Sequence, residues 1–259
     1  MSGAASAASP FADLALLEAG AHALDVALTP AQLVQFRQYG ELLLEWNERM
    51  NLTAITAPDQ VQTLHFLDAL TLAPTIRAWC RSAVCDDPTV IDIGSGAGVP
   101  GIPLKIALPQ LRMTLLDATG KRITFLRAVI AALGLSGIGA VQGRAEEVAR
   151  DPDWRDTFDL VTARALARLP TLLEWCLPFA RVGGLVLAPK AGDLAAEVAE
   201  GERAARQLGG FVRGVRPVRL PELPGRALVL IDKTAPTPPH YPRGAGLPVK
   251  QPLGVTNDG

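Results

Sequence analysis

The strongest constraint on the fold is a short apolar, β-branched run, Thr89-Val90-Ile91-Asp92-Ile93, that ends in glycines at Gly94, Gly96 and Gly98. Such a run reads as a buried parallel strand. A glycine-rich turn after it lets backbone approach a ligand closely, and the helix that follows offers free N–H groups. Strand-like runs recur at Arg112 to Leu116, Ile138 to Val141, Phe158 to Thr162 and Leu185 to Ala188. They alternate with helical stretches near Ile102 to Ala107, Lys121 to Leu133, Leu169 to Phe179 and Leu194 to Leu208. This alternation predicts an α/β fold with a doubly wound, mostly parallel sheet. Val212 to Leu220 and Ala227 to Lys233 can close it as an antiparallel pair.

Ahead of the first strand, Thr29-Pro30-Ala31-Gln32 reads as a helix start: Thr29 caps, Pro30 suits the first helical position and Gln32 completes a capping box. Leu33, Phe36, Leu43 and Trp46 then recur at helical intervals through about Glu48, with Trp46 as a core anchor, and a second helical segment is expected from Gln60 to Leu72. The expected organisation is a weakly ordered tail over residues 1–28, a helical extension over 29–87, the sheet domain over 88–234 and a Pro/Gly-rich basic tail over 235–259. No Lys or Arg precedes Arg37, so no secretory leader is expected. Charges such as Lys105 interrupt every apolar stretch short of the roughly 18 residues that span a bilayer. A soluble, cytoplasmic protein without a membrane partner is the expectation. Cys80, Cys85 and Cys176 are odd in number and lack zinc-like spacing, so reduced thiols and no metal are expected.

The loop narrows the ligand. A dinucleotide fingerprint wants its third glycine where Val99 stands, which counts against an NAD-dependent oxidoreductase. The G-x-G-x-G form after Asp92 resembles the S-adenosylmethionine loop of class I methyltransferases. The next strand ends in Asp117, where doubly wound folds bind a ribose diol; the alternative is that Asp117 caps the helix starting near Gly120. After the third strand, Ala145 and Glu146 lie where class I enzymes border the adenine, or Glu146 and Glu147 simply favour a helix dipole. The fourth strand runs into Ala163-Arg164-Ala165-Leu166, without the Asn/Asp-Pro-Pro-aromatic signature of amine methylation, and the chain has no Pro-Cys pair for attack on a pyrimidine carbon. Arg164 instead offers a fork that suits a phosphate, a cofactor carboxylate or the O6/N7 edge of guanine. Guanine N7 carries a free lone pair and needs no general base, which leaves alignment and electrostatics as the means of catalysis, with Arg164 as contributor. The competing role for Arg164 is a salt bridge to a carboxylate such as Asp159.

Charge tests the nucleic-acid reading. The 259 residues hold 25 Lys+Arg and 26 Asp+Glu, a net of -1, whereas phosphate recognition usually leaves a basic footprint. The sum conceals a polarised chain: residues 1–100 carry 4 basic and 11 acidic side chains, and residues 101–259 carry 21 and 15. The sheet region and tail are basic enough to meet RNA.

Several segments together resemble the glucose-inhibited division protein B (RsmG) family of bacterial 16S rRNA guanine-N7 methyltransferases. They are Trp46-Asn47 with Met50-Asn51-Leu52-Thr53, His65-Phe66-Leu67-Asp68-Ala69-Leu70, the loop from Asp92 to Leu104, Leu115-Leu116-Asp117, Gly120-Lys121-Arg122 and Ala163-Arg164-Ala165. Tyr241-Pro242-Arg243 and Gly246-Leu247-Pro248 with Lys250 follow near the end. The resemblance implies a class I fold and S-adenosyl-L-methionine as donor. It also implies methylation of one guanine N7 in the decoding-region loop of 16S rRNA. The expected partner is 16S rRNA within the small ribosomal subunit or an assembly intermediate, and the expected state a monomer. It places cofactor contacts at Gly94, Gly96, Gly98, Val99, Asp117, Ala145, Glu146 and Arg164. Val99 is smaller than the family's usual Leu or Phe, and Gly244 replaces a second basic residue after Arg243. His65 and Asp68 are expected to line the RNA side of the pocket, or else to form a helix-packing pair. Arg122, Lys190, Arg243 and Lys250 are the expected RNA cations. A class I methyltransferase acting on a small molecule would leave the tail motif from Tyr241 unexplained; a cofactor-sensing module without activity is the other alternative.

Overall fold

The computed structural model describes residues 9–255; what was expected of residues 1–8 and 256–259 lies outside the described residues. The chain opens with α1 (Ala15–Ala23) and α2 (Pro30–Met50). A continuous helical stretch follows, made of α3 (Pro58–Val61), a wider π-helical segment over Gln62–Leu67 and α4 (Asp68–Leu70), and then α5 (Ala73–Ala83). The sheet region runs β1 (Thr89–Ile93), α6 (Gly101–Ala107), β2 (Arg112–Asp117), α7 (Gly120–Ala132), β3 (Ile138–Gln142), α8 (Ala145–Val148) and β4 (Phe158–Thr162). It continues through α9 (Leu169–Cys176), β5 (Ala180–Ala191), α10 (Ala195–Gln207), β6 (Gly210–Pro217), β7 (Arg226–Lys233) and the single turn α11 (Leu247–Lys250).

The seven strands lie in the order β3-β2-β1-β4-β5-β7-β6, parallel except for β7, which runs antiparallel to both its neighbours. Chain direction across the sheet reverses between β1 and β4, so their carboxyl ends flank the crevice in which such sheets bind ligands. Side chains alternate between two cores as strand geometry requires. Val90, Leu115, Leu160 and Leu185 face a core shared with α6, α7 and the N-terminal helices, whereas Ile91, Leu116, Val161 and Val186 face α9 and α10. Lys105, the charge that interrupts its apolar run, is itself buried; its ammonium donates to the carbonyls of Pro109 and Leu111.

One expectation needs correction. Residues 9–28 are no weakly ordered tail: Phe11, Leu14, Leu17, Ala21 and Val26 are buried, Phe11 packs against Phe66, and the Arg37 side chain donates to the Phe11 and Ala12 carbonyls. Apolar residues at helical spacing drive this docking. The stretch after β7 is largely irregular apart from the single turn α11, and side chains of the sheet domain pin it in place. Arg155 donates to the carbonyls of Ala149, Thr237, Pro238 and Tyr241, and Arg150 to that of Pro242. The buried Lys233 reaches Asp156 and Thr237. Arg243 forms a forked pair with the fully buried Glu174 of α9, its Nη2 2.7 Å from Oε2. Removing one partner of such a pair leaves an uncompensated buried charge, so Arg243→Met is expected to lower the unfolding free energy by about 3 kcal/mol. Denaturant titration measures this, and cofactor affinity should stay unchanged.

Among the described residues no helix is long and apolar enough to cross a membrane, and no group of three His, Cys, Asp or Glu is placed to hold a metal ion. Cys80, Cys85 and Cys176 are free thiols.

Candidate active site

The glycine loop leaves β1 at Gly94, with φ of +69° there, +56° at Gly96 and +90° at Gly98. Three left-handed residues in alternation explain the G-x-G-x-G pattern, since a side chain at each would strain the backbone. A Cβ on Gly98 would also lie 2.5 Å from Ile102 Cδ1. The turn is held from three sides. Gly94 and Ser95 donate to the Leu116 carbonyl at the end of β2. Tyr39, buried on α2, donates its hydroxyl to the Ala97 carbonyl, so the N-terminal helices brace the loop directly. From beneath, the fully buried Asp92 accepts from the Gly101 N–H at 3.2 Å and the Thr162 hydroxyl at 3.0 Å.

Burial pushes the Asp92 carboxyl up to about 7, against the opposing hydrogen bonds of Thr162 and Gly101. The folded state therefore keeps this proton through a range in which the unfolded chain releases it, and stability falls as pH rises from about 4 to about 7. Asp92→Asn, which cannot ionise and keeps an oxygen for the Gly101 N–H while its amide N–H turns the Thr162 hydroxyl into the acceptor, is expected to gain in melting temperature over the wild type between pH 5 and pH 8. A pH-independent offset in thermal melts across that range would contradict the assignment.

Two cavities open beside the loop. One, of about 200 Å³, is lined by Ile93, Gly94, Leu116, Asp117, Ala118, Thr119, Arg122, Gly143, Arg144, Ala145, Glu146, Leu166 and Trp175. Asp117 sits at its floor, accepting from the Gly96 N–H at 2.9 Å, the Thr119 N–H at 2.8 Å and Arg122 Nη1 at 3.3 Å. Glu146 is buried, and no protein donor among the described residues meets its carboxylate. The indole N–H of Trp175 is likewise buried without an acceptor. A carboxylate wanting donors and an unpaired indole beside an acidic, apolar-walled slot fit an adenosine with a free ribose diol.

The second cavity, of about 240 Å³, is lined by Leu52, Thr53, His65, Gly94 to Ala97, Val99, Arg122, Arg164, Ala165 and Leu166. It meets the first at Gly94, Arg122 and Leu166. Arg164, at the carboxyl end of β4, is only 15% exposed. Its Nη1 donates to Asp68 Oδ2 at 2.8 Å and to the Leu64 carbonyl at 2.7 Å, while Nη2 lies 3.0 Å from His65 Nδ1. Arg226 of β7 approaches the other oxygen of Asp68 at 3.4 Å. The residue after Arg164, Ala165, takes a left-handed φ of +53°, a strained conformation for a side-chain-bearing residue that recurs where function holds it. Burial, and then the Arg164 cation, push the His65 imidazole down to about 4, so it is neutral at physiological pH.

The sequence-expected residues therefore sort unequally. Gly94, Gly96, Val99, Asp117, Ala145, Glu146 and Arg164 line the joined cavities, and Gly98 supports the turn. His65 lines the second cavity, but Asp68 lies behind Arg164; neither forms the other's packing partner, because both serve the guanidinium. The salt-bridge alternative for Arg164 is met, with Asp68 as the carboxylate in place of Asp159, which pairs with Arg181 and Thr89. Arg122, expected on RNA, is drawn to the Asp117 carboxylate. Lys190 is tied to Glu197 and the Ala167 carbonyl, and Arg243 to Glu174, so neither is a free RNA cation. Lys250 is exposed on α11 and lines neither cavity. Sequence reasoning missed Thr53, Tyr39, Leu166 and Trp175 as parts of the site; Thr53 alone had a signal, standing in the Met50 to Thr53 motif.

Comparison with known proteins agrees with this geometry. A family model described as rRNA small subunit methyltransferase G matches residues 32–221. The ribosomal RNA small subunit methyltransferase G of Roseiflexus sp. (strain RS-1) is 47% identical over 234 residues, 90% of this chain and 97% of that protein. The protein of that name from Exiguobacterium sibiricum is 47% identical over 224 residues, 86% of this chain and 92% of its own. Among solved structures, a mutant MtNAS in complex with S-adenosylmethionine superposes with a TM-score of 0.52 at 18% identity, covering 85% of this chain and 84% of that one. MtNAS in complex with MTA and tNA gives the same score at 15% identity, covering 85% and 82%. These two likenesses, both under 25% identical, establish a shared fold. With the family model running unbroken through the glycine loop, Asp117 and Arg164, the chain belongs to the rRNA small subunit methyltransferase G family.

Proposed function

We propose that the joined cavities bind S-adenosylmethionine and one guanine of 16S rRNA, and that the enzyme methylates that guanine at N7 in the decoding-region loop. The methyl donor and the rRNA substrate are those of the family. The observation that carries the reading is the continuity of two chemically different cavities across Gly94, Arg122 and Leu166. In the first, Asp117 would accept from the ribose hydroxyls, Glu146 from a further donor of the adenosine, and the glycine loop would let backbone approach the remainder of the cofactor. The second, closed by His65 and Arg164, would receive the base.

S-adenosylmethionine supplies a methyl group on a positively charged sulfur. The protein's share is placement and charge. Guanine N7 reacts through its lone pair and loses no proton in the step, so a neutral His65 and an Arg164 whose charge is paired with Asp68 are compatible with turnover. Asp68 offsets the Arg164 charge, so positive charge building at N7 does not meet a bare guanidinium. The cavity walls would hold the acceptor beside the loop.

Further parts of the reading are that the substrate is 16S rRNA held in the small ribosomal subunit or an assembly intermediate, in the cytoplasm, and that the enzyme acts as a monomer. The near-neutral total charge supports a shaped rather than a free RNA substrate, because generic affinity for phosphate scales with basic contacts. One chain supplies the glycine loop, the carboxylates and the guanidinium, which supports the monomer. Titration calorimetry should give saturable binding of S-adenosylhomocysteine and none of NAD. Labelled methyl transfer should then favour subunits or intermediates from a strain lacking the enzyme over naked 16S rRNA. NAD binding without S-adenosylhomocysteine binding would overturn the cofactor assignment, and equal rates on naked RNA would overturn the substrate form.

A further inference from the structure

Hydrogen-bond arithmetic around His65 leads to a substrate-reading group. The guanidinium of Arg164 can only donate. Its Nη2 is 3.0 Å from His65 Nδ1, so that nitrogen presents its lone pair. The Leu64 carbonyl also lies 3.2 Å from Nδ1, but it is already held by Arg164 Nη1 at 2.7 Å; both acceptors serve one cation. A neutral imidazole whose Nδ1 accepts must carry its proton on Nε2. Nε2 lies 2.9 Å from Thr53 Oγ1, which therefore accepts. The Ile55 N–H donates to the same oxygen at 3.0 Å. With both lone pairs of Oγ1 engaged, the Thr53 hydroxyl proton is left as an obligate donor, and no acceptor meets it among the described residues. Thr53 lines the second cavity.

We propose that the Thr53 hydroxyl donates to O6 of the target guanine and so selects guanine over adenine at the methylated position. This rests on guanine N7 as the methyl acceptor. On the edge of a purine that carries N7, guanine presents O6 as an acceptor and adenine presents the N6 amine as a donor. A hydroxyl fixed as donor complements the first and opposes the second, while leaving N7 free to react. The Arg164–His65 pair is then a positioning device: it sets the imidazole tautomer that sets the direction of the Thr53 proton.

The test is a cycle between protein and base. Small subunits are reconstituted with 16S rRNA carrying either guanine or 2-aminopurine at the target, the latter keeping N7 but lacking O6. Single-turnover rates are compared for wild type, Thr53→Val and Thr53→Ser. The wild type should lose about tenfold or more when O6 is removed, the scale of one lost hydrogen bond beside a reacting atom. Thr53→Val should lose a similar factor on guanine and nothing further on 2-aminopurine; any change in intrinsic N7 reactivity is the same for each enzyme and cancels. Thr53→Ser should stay near wild type. Independently, nitrogen-15 spectra of labelled histidine should show His65 protonated at Nε2.

Equal, additive losses from Thr53→Val on both bases would overturn the proposal, as would His65 protonated at Nδ1. A matching drop in S-adenosylhomocysteine affinity would place the acceptor on the cofactor and overturn it too. If the wild-type enzyme leaves guanine N7 unmethylated, the functional reading itself fails.

Discussion

Arg164→Met is expected to lower the unfolding free energy by about 3 kcal/mol and to abolish detectable methyl transfer. The stability loss follows from Asp68, which is 3% exposed and would keep only the longer approach of Arg226. A buried carboxylate stripped of its partner costs about 3–5 kcal/mol, and the residual contact sets the lower end. For a chain of this size that is roughly 10 °C in melting temperature. The activity loss has a separate origin: without the guanidinium, His65 is released from its tautomer and the second cavity loses one wall. The two effects separate in the double variant Arg164→Met with Asp68→Leu, in which no buried charge is left unpaired. Differential scanning calorimetry should show most of the melting temperature recovered while methyl transfer stays absent. Recovery of activity along with stability would reduce Arg164 to a structural brace.

Asp117→Ala is the second large effect. The carboxylate ties the glycine loop to β2 through the Gly96 N–H and stands in the cavity assigned to the adenosine. Loss of an acceptor shared by loop and ribose should weaken S-adenosylhomocysteine binding by about 1–3 kcal/mol, roughly 5- to 150-fold. Arg122→Met separates this from mere loss of an ion pair. It removes the partner at 3.3 Å and leaves the acceptor, so affinity should hold. Calorimetric affinities that fall equally in both variants would mean that Asp117 acts only through Arg122.

The parts of this site that the sequence made legible are the local ones. Left-handed glycines at alternating positions leave a pattern within five residues, and a carboxylate at a strand end announces itself by its distance from them. The antiparallel closure of β7 and the capping box at Thr29 were legible for the same reason: turn and cap chemistry is written in neighbouring residues. Partners separated along the chain were not. Asp68 and Arg164 lie 96 residues apart, and nothing near either one tells which opposite charge it will meet. Arg243 was misread for that reason, its buried partner Glu174 lying 69 residues away; Lys190 was misread although Glu197 is only seven residues on, because a basic side chain near a ligand edge looks alike whether it faces RNA or a carboxylate. The α1 region was misread differently: its alanines and short polar residues mask an apolar stripe that only docking on Phe66 brings out. Thr53 was visible as part of a motif, yet its role as a donor depends on a tautomer fixed from β4.

The central claim is that this chain methylates one guanine N7 of 16S rRNA. The most direct test maps N7-methylguanine in 16S rRNA by borohydride reduction and aniline scission, in the parent strain and in a strain lacking the gene. One scission in the decoding-region loop should disappear in the deletion, return with the wild-type gene and stay absent with the Arg164→Met, Asp68→Leu variant. Persistence of every N7 scission in the deletion strain would contradict the account.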